Sequence, residues 1–137
     1  MIELLKDYLL KKDDGAIEGF IKTLKALRGH FINVDLATII TIYDSSSPYK
    51  SLLKLADIYN LSSCIYSDIT VADLKTGKNI SILKIDTKDS HHFVVCMSFK
   101  EGIGFKIYDP LNGSYNATEY GLNCMWKDKT AIVFIGN

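Results

Sequence analysis

The chain has 137 residues, with 16 basic and 16 acidic side chains, 47% hydrophobic residues and 23% charged residues. These are ordinary globular values for one domain and exclude a disordered chain. The zero net charge argues against a nucleic-acid binder or a charge-driven membrane binder, both of which need surplus Lys and Arg. No apolar run approaches the ~18 residues that span a bilayer. Glu3 and Asp7 interrupt the apolar stretch of the N-terminus, so it does not read as a secretory signal. The chain therefore predicts a soluble, cytosolic protein.

In chain order, Met1 to Leu10 carries Ile2, Leu5 and Leu9 at helical spacing, a short pattern. Gly15 to Leu27 is stronger: Ile17, Phe20, Ile21, Leu24 and Leu27 make one apolar face. Asp13 and Asp14 precede it, where a carboxylate caps free N–H groups, and Arg28-Gly29 supplies the stop. Asp35 starts a second helix through Leu36, Ile39, Ile40 and Tyr43. Ser47-Pro48 starts a third through Leu52, Leu55, Ala56 and Tyr59, with Asn60 closing it.

Then the period changes. Ser63 to Ser67 reads as a short strand, Val71 to Leu74 as a helical turn and Thr76 to Asn79 as a turn. Ile80 to Ile85, His92 to Phe99, Phe105 to Tyr108 and Thr130 to Ile135 are β-branched and aromatic runs bounded by turn chemistry. Helices first and antiparallel strands afterwards predict an α+β domain, helices packed on one face or end of a sheet, over residues 1–137. Cys64, Cys96 and Cys124 are widely spaced and odd in number, giving neither a disulfide framework nor a zinc site. They read as small buried hydrophobes in a reducing compartment.

Three stretches could carry chemistry: Asp13-Asp14-Gly15 at a helix start, His91-His92-Phe93-Val94-Val95 on a strand, and Tyr108-Asp109-Pro110 ending the next strand. A cysteine hydrolase needs a nucleophile at a helix start, a histidine to take its proton and a polar group to orient that histidine. Here the helix start, histidine and orienter are present and the thiol is not. The bland readings are an N-cap for Asp14, a core position for His92 and a turn-capping aspartate for Asp109. Asp14, Asp109 and His92, with His91 adjacent, could also be read as a metal set, but strand alternation points His91 to the opposite face.

In these stretches the sequence resembles the C39 peptidase domain, the papain-like module of bacterial peptide-exporting ABC transporters. That family has Asp-Cys-Gly opening a helix, where this chain has Asp13-Asp14-Gly15. It has a His-Phe-Val-Val strand, matching His92 to Val95, and Asp-Pro-x-x-Gly, matching Asp109 to Gly113. An acidic-aromatic pair and a tryptophan then match Glu119-Tyr120 and Trp126. The resemblance implies a papain-like fold with N-terminal helices packed on a C-terminal antiparallel sheet. It places Asp14 at the nucleophile position, His92 and Asp109 as a vestigial dyad, and Tyr8 where the family has the glutamine of its oxyanion hole. Tyr8 argues against Asp14 as a lone engineered change. The resemblance then implies a degenerate domain that binds an exported peptide or its leader. Its partners would include the membrane and ATPase domains of a transporter, at the cytoplasmic face of the membrane, and it implies no cofactor or metal. Two alternatives stay open: an active double-glycine leader peptidase with a changed nucleophile, and a pseudoenzyme scaffold that assembles a partner complex.

Overall fold

Apolar residues at helical spacing build the first helix, α1 (Ala16–Arg28), whose Ala16, Phe20 and Leu24 are fully buried. The chain is described here from a computed structural model covering residues 14–88 and 91–135. The predicted helix over Met1 to Leu10, together with Tyr8 and Asp13, lies outside the described residues. Two further helices follow, α2 (Leu36–Ile42) and α3 (Pro48–Ile58). Asp35 caps α2 through its side chain, which accepts from the Thr38 N–H. Pro48 occupies the first turn of α3, but Ser47 makes no side-chain cap bond there, contrary to the capping serine that the sequence predicts.

Beyond these helices come β1 (Ser62–Tyr66), α4 (Val71–Gly77), β2 (Ile80–Asp86), β3 (His91–Lys100), β4 (Gly104–Tyr108), β5 (Tyr115–Ala117), α5 (Glu119–Met125) and β6 (Ala131–Ile135). All pairings are antiparallel, in one sheet of order β1-β6-β2-β3-β4-β5. The α+β class and the papain-like arrangement of helices on an antiparallel sheet are both found.

The sheet is covered on both faces rather than on one. Phe93 and Val95 of β3 join Phe20, Leu24, Leu52, Leu55 and Phe134 in a core beneath α1, α2 and α3. Val94 and Cys96 point the other way, into a second core with Phe105, Ile107, Leu122 and Trp126 beneath α4 and α5. This explains why β3 is buried at every position from His92 to Cys96 instead of alternating. The segment predicted as a turn, Thr76 to Asn79, is split. Helix α4 runs through Gly77 and ends on Lys78 in the left-handed conformation. A reciprocal capping box between Thr70 and Asp73 stabilises so short a helix. Two elements, β5 and α5, were not foreseen; α5 starts where the Thr118 hydroxyl accepts from the Gly121 N–H.

The close seat of α1 on β3 depends on a glycine. A Cβ added to Gly19 would stand 3.2 Å from Val95 Cγ2. The cysteines do not behave as a set: Cys96 is buried in the second core, while Cys64 and Cys124 are exposed. The reading of all three as buried hydrophobes is thus corrected. Cys64 sits on an edge strand, in the wall of a groove open to solvent, and Cys124 on a short outer helix.

Candidate functional site

Strand β3 starts with His91 exposed and His92 buried, the alternation expected of a strand edge entering the core. Asp109 follows the last residue of β4, and the pairing of Val95 with Tyr108 brings it alongside the start of β3. The result is a buried pair. His92 Nε2 lies 2.8 Å from Asp109 Oδ2, with both side chains 1% exposed.

The aspartate is itself held. Its Oδ1 accepts from the Leu111 N–H at 2.9 Å and the Asn112 N–H at 3.1 Å, and the Asn112 side-chain amide donates to Oδ2 at 3.2 Å. The Gly113 N–H closes the same turn on the Asp109 carbonyl. One carboxylate therefore caps the Asp-Pro turn and engages the histidine, so the two readings of Asp109 coexist. Burial works to raise its carboxyl. The hydrogen bonds from His92, Leu111 and Asn112 prevail and hold it below the ordinary carboxylate value.

The start of α1 arrives beside this pair through backbone contacts. The Phe93 N–H donates to the Asp14 carbonyl at 2.7 Å. Gly15 then turns the chain into the helix with φ of +91°, and a Cβ there would lie 2.7 Å from the Phe93 carbonyl oxygen and 3.4 Å from Pro110 Cγ. Only glycine combines that left-handed backbone with so close an approach. Gly15, not Asp14, is the N-cap residue, which corrects the capping role predicted for Asp14. The Asp14 carboxylate accepts from the Tyr43 hydroxyl at 3.1 Å, so it is turned toward the C-cap of α2.

A second tyrosine lies close by. Tyr49 meets the Phe93 ring edge-on at 5.5 Å and donates to Asp128 at 2.6 Å. Burial, that hydrogen bond and the negative charges of Asp128, Asp14 and Asp86 push its phenol upward, so Tyr49 stays a donor. Of the predicted site residues, Asp14, His92 and Asp109 converge on the start of β3. His91 is exposed, and Tyr8 is outside the described residues. Trp126 is core, fully buried with its indole N–H on the Thr130 carbonyl. Among the described residues no group of three or more His, Cys, Asp or Glu side chains could hold a metal ion.

Sequence reasoning missed Tyr43, Tyr49 and Asn112. Asn112 had a local signal, since an aspartate opening a Pro-x-Asn turn commonly bonds the residues two and three positions on. The two tyrosines reach the site from 29 residues away for Tyr43 and Asp14 and from another helix for Tyr49, and nothing local announces that.

A helix start, a strand histidine and an aspartate after the neighbouring strand, converging around one buried dyad, define the papain-like class of fold. No protein-family model and no curated protein matches the sequence. The solved structures that resemble it include two transporter peptidases. One is a double-glycine motif protease from an AMS/PCAT transporter, in complex with the leader peptide. It is 21% identical, with a TM-score of 0.66, over 88% of this chain and 86% of that one. The other is the peptidase domain of Streptococcus ComA, a bifunctional ABC transporter involved in quorum sensing. It is 11% identical, with a TM-score of 0.67, over 93% of both chains. The chain has the C39-like fold that the sequence motifs pointed to. Among the described residues no helix is long and apolar enough to cross a membrane.

Proposed function

We propose that this chain is a catalytically degenerate C39-like domain that binds a peptide or its leader in a peptide-export system, without cleaving it. The observation that carries the reading is the residue at the start of α1. Position 14 offers a carboxylate held by Tyr43, where a cysteine hydrolase of this fold would offer a thiol. Attack by that carboxylate on a peptide would form a mixed anhydride and expel an amine, a poor route to amide hydrolysis. The three cysteines give no substitute. Cys96 is a core residue of β3 whose thiol burial pushes up to about 12, while Cys64 lies on β1 and Cys124 on α5. Loss of a nucleophile leaves only the residual rate due to binding and oxyanion stabilisation. The likeness to a double-glycine protease that holds a leader peptide supports a peptide as the partner, and the likeness to ComA supports a transporter setting.

In this reading His92 and Asp109 form a vestigial dyad whose remaining work is structural: it ties the start of β3 to the end of β4. Tyr8, at the position of the oxyanion glutamine, would be a second loss. The test is isothermal titration of the protein with double-glycine leader peptides encoded beside it, paired with mass spectrometry of each mixture. Binding without cleavage is expected. Cleavage that disappears in Asp14→Ala would overturn the reading in favour of a peptidase with a changed nucleophile. Co-purification with a transporter but no peptide binding would favour a scaffold.

A further inference from the structure

Among the described residues the sheet ends on two unlike edges. At one, β5 is only three residues long, and short edge strands resist pairing with other chains. At the other, β1 presents five consecutive residues, Ser62–Tyr66, with no charge and no proline. Edge strands are ordinarily guarded by Lys, Pro, a bulge or a covering element. Strand β1 runs in unbroken register with β6 from Ser62↔Ile135 to Tyr66↔Ala131, and four of its five residues are exposed. Ile65 and Tyr66 are 43% and 45% exposed.

Each face of the sheet has a groove beside this edge. On the α3 side a groove of about 760 Å³ runs along β1, with Leu53, Leu61 and Cys64 in its walls. Lys50 and Lys54 stand one helical turn apart on it, against Asp57. On the α4 side a groove of about 530 Å³ is lined by Tyr66, Ile69, Leu74, Val133 and Ser81, and by Asp73, whose carboxylate is engaged by the Thr70 N–H and hydroxyl. Ser81 is 1% exposed. Its cross-strand neighbour is Cys96, a weak partner, and no geometrically sound hydrogen bond reaches its hydroxyl. Ile135 lines both grooves.

We propose that the outer edge of β1 receives an extended segment of a partner protein as an added strand, in which acidic and apolar residues alternate. Strand addition supplies backbone hydrogen bonds, and alternate side chains of the guest fall on opposite faces. Acidic residues then meet Lys50 and Lys54 on the α3 side, and apolar residues enter the groove on the α4 side. Two lysines against one aspartate select an acidic guest. A second copy of this chain pairing through its own β1 does not meet that requirement, because Ser-Ser-Cys-Ile-Tyr carries no carboxylate. The surface is separate from the His92–Asp109 pair: β6 and β2 lie between β1 and β3. It therefore stands whether or not the peptide-binding reading of that site holds.

The test uses the full 15N-labelled chain and two synthetic probes, acetyl-(Glu-Val)3-amide and acetyl-(Lys-Val)3-amide. Slower amide exchange and shifts at Ser62–Tyr66 with the acidic probe are expected, and binding at least about tenfold tighter than for the basic probe. Lys50→Glu with Lys54→Glu, both on the outside of α3, is expected to reverse the preference. Should that double variant fail to fold, collapse of the difference between the probes at high salt makes the same point. Absence of any change at β1, equal binding of the two probes, or changes centred on His92 would each overturn the proposal. So would concentration-dependent self-association that protects β1 without a probe, because the occupant would then be a second copy.

Discussion

The carboxylate of Asp109 makes contacts from both of its oxygens: Oδ2 lies 2.8 Å from His92 Nε2, and Oδ1 accepts the N–H groups of Leu111 and Asn112. The pair is buried and the turn depends on it, so both residues have structural work whatever stands at position 14. Asp109→Ala removes the partner of the His92 Nε2 atom and the acceptor of two backbone donors together. We expect a loss of about 3 kcal/mol in a denaturant titration, as for removal of one partner of a buried pair. Asp109→Asn keeps the shape and part of the bonding and is expected to cost less.

The same contact sets an acid limb. The carboxyl of Asp109 is lowered from its ordinary value of 3.8 in the folded state, so the folded value lies below the unfolded one. Its contribution is then complete above the ordinary value and is lost as pH falls through the folded value. Thermal melts of the wild type between pH 5 and about pH 2 should show that decline. Asp109→Asn, which has no proton to take up, should show a shallower one.

Gly15 joins Asp14 to the helix, and its backbone leaves no room for a side chain. Gly15→Ala adds a strained left-handed φ and a Cβ 2.7 Å from the Phe93 carbonyl. The expected cost is about 3 kcal/mol. If the melting temperature of Gly15→Ala matched that of the wild type, the approach of α1 to β3 described above would be wrong.

A buried hydroxyl with only a weak partner gives a prediction of opposite sign. Ser81 sits on β2 at 1% exposure, and among the described residues its oxygen has only the Cys96 thiol across the strand to pair with. Ser81→Ala removes a desolvated polar atom that a thiol compensates poorly, so it is expected to raise stability by about 1 kcal/mol in a urea titration.

The central strands were legible because β2, β3, β4 and β6 are runs of β-branched and aromatic residues, and α1 and α3 because their apolar faces repeat at helical spacing. The second covering layer was not. Helix α5 holds a glycine at position 121 and depends on Thr118 for its start, and β5 is three residues long, too short for any period. At the site, the order of the motifs in the chain brought Asp14, His92 and Asp109 forward. The partners that settle their orientation, Tyr43 above all, come from distant segments that fold against them. The capping reading of Asp14 failed for that reason: one residue farther on, Gly15 takes the cap, and the carboxylate is drawn to a tyrosine that local sequence cannot supply.

Thiol reactivity checks the placement of the cysteines. Cys64 and Cys124 are exposed, while Cys96 is buried with its thiol pushed up to about 12, so it holds almost no thiolate at neutral pH. An aromatic disulfide reagent should therefore titrate Cys64 and Cys124 in the folded chain, and Cys96 only after denaturation. Fast reaction of Cys96 in the native protein would contradict the second core.

Placing a thiol at position 14 is the sharpest test of the site. In Asp14→Cys, the backbone bond from the Phe93 N–H to the residue 14 carbonyl holds that position beside the start of β3, and the Tyr43 hydroxyl is within reach as a donor. A thiolate there is favoured by the start of α1 and by a hydrogen bond from the His92 ring, so its pKa is expected to fall below the ordinary value of about 8.5. Reaction rate with iodoacetamide against pH would report it, after Cys64 and Cys124 are replaced by serine. Adding His92→Ala should return the thiol toward its ordinary value, because the imidazole is the partner that favours the charged form. Cleavage of a double-glycine leader by Asp14→Cys is expected to stay weak if Tyr8 provides no oxyanion donor, and Tyr8→Gln in the same background should raise it. Loss of one such donor costs about 100-fold to 1,000-fold in rate. A thiol of ordinary pKa in Asp14→Cys would instead mean that the start of α1 no longer faces the histidine at all.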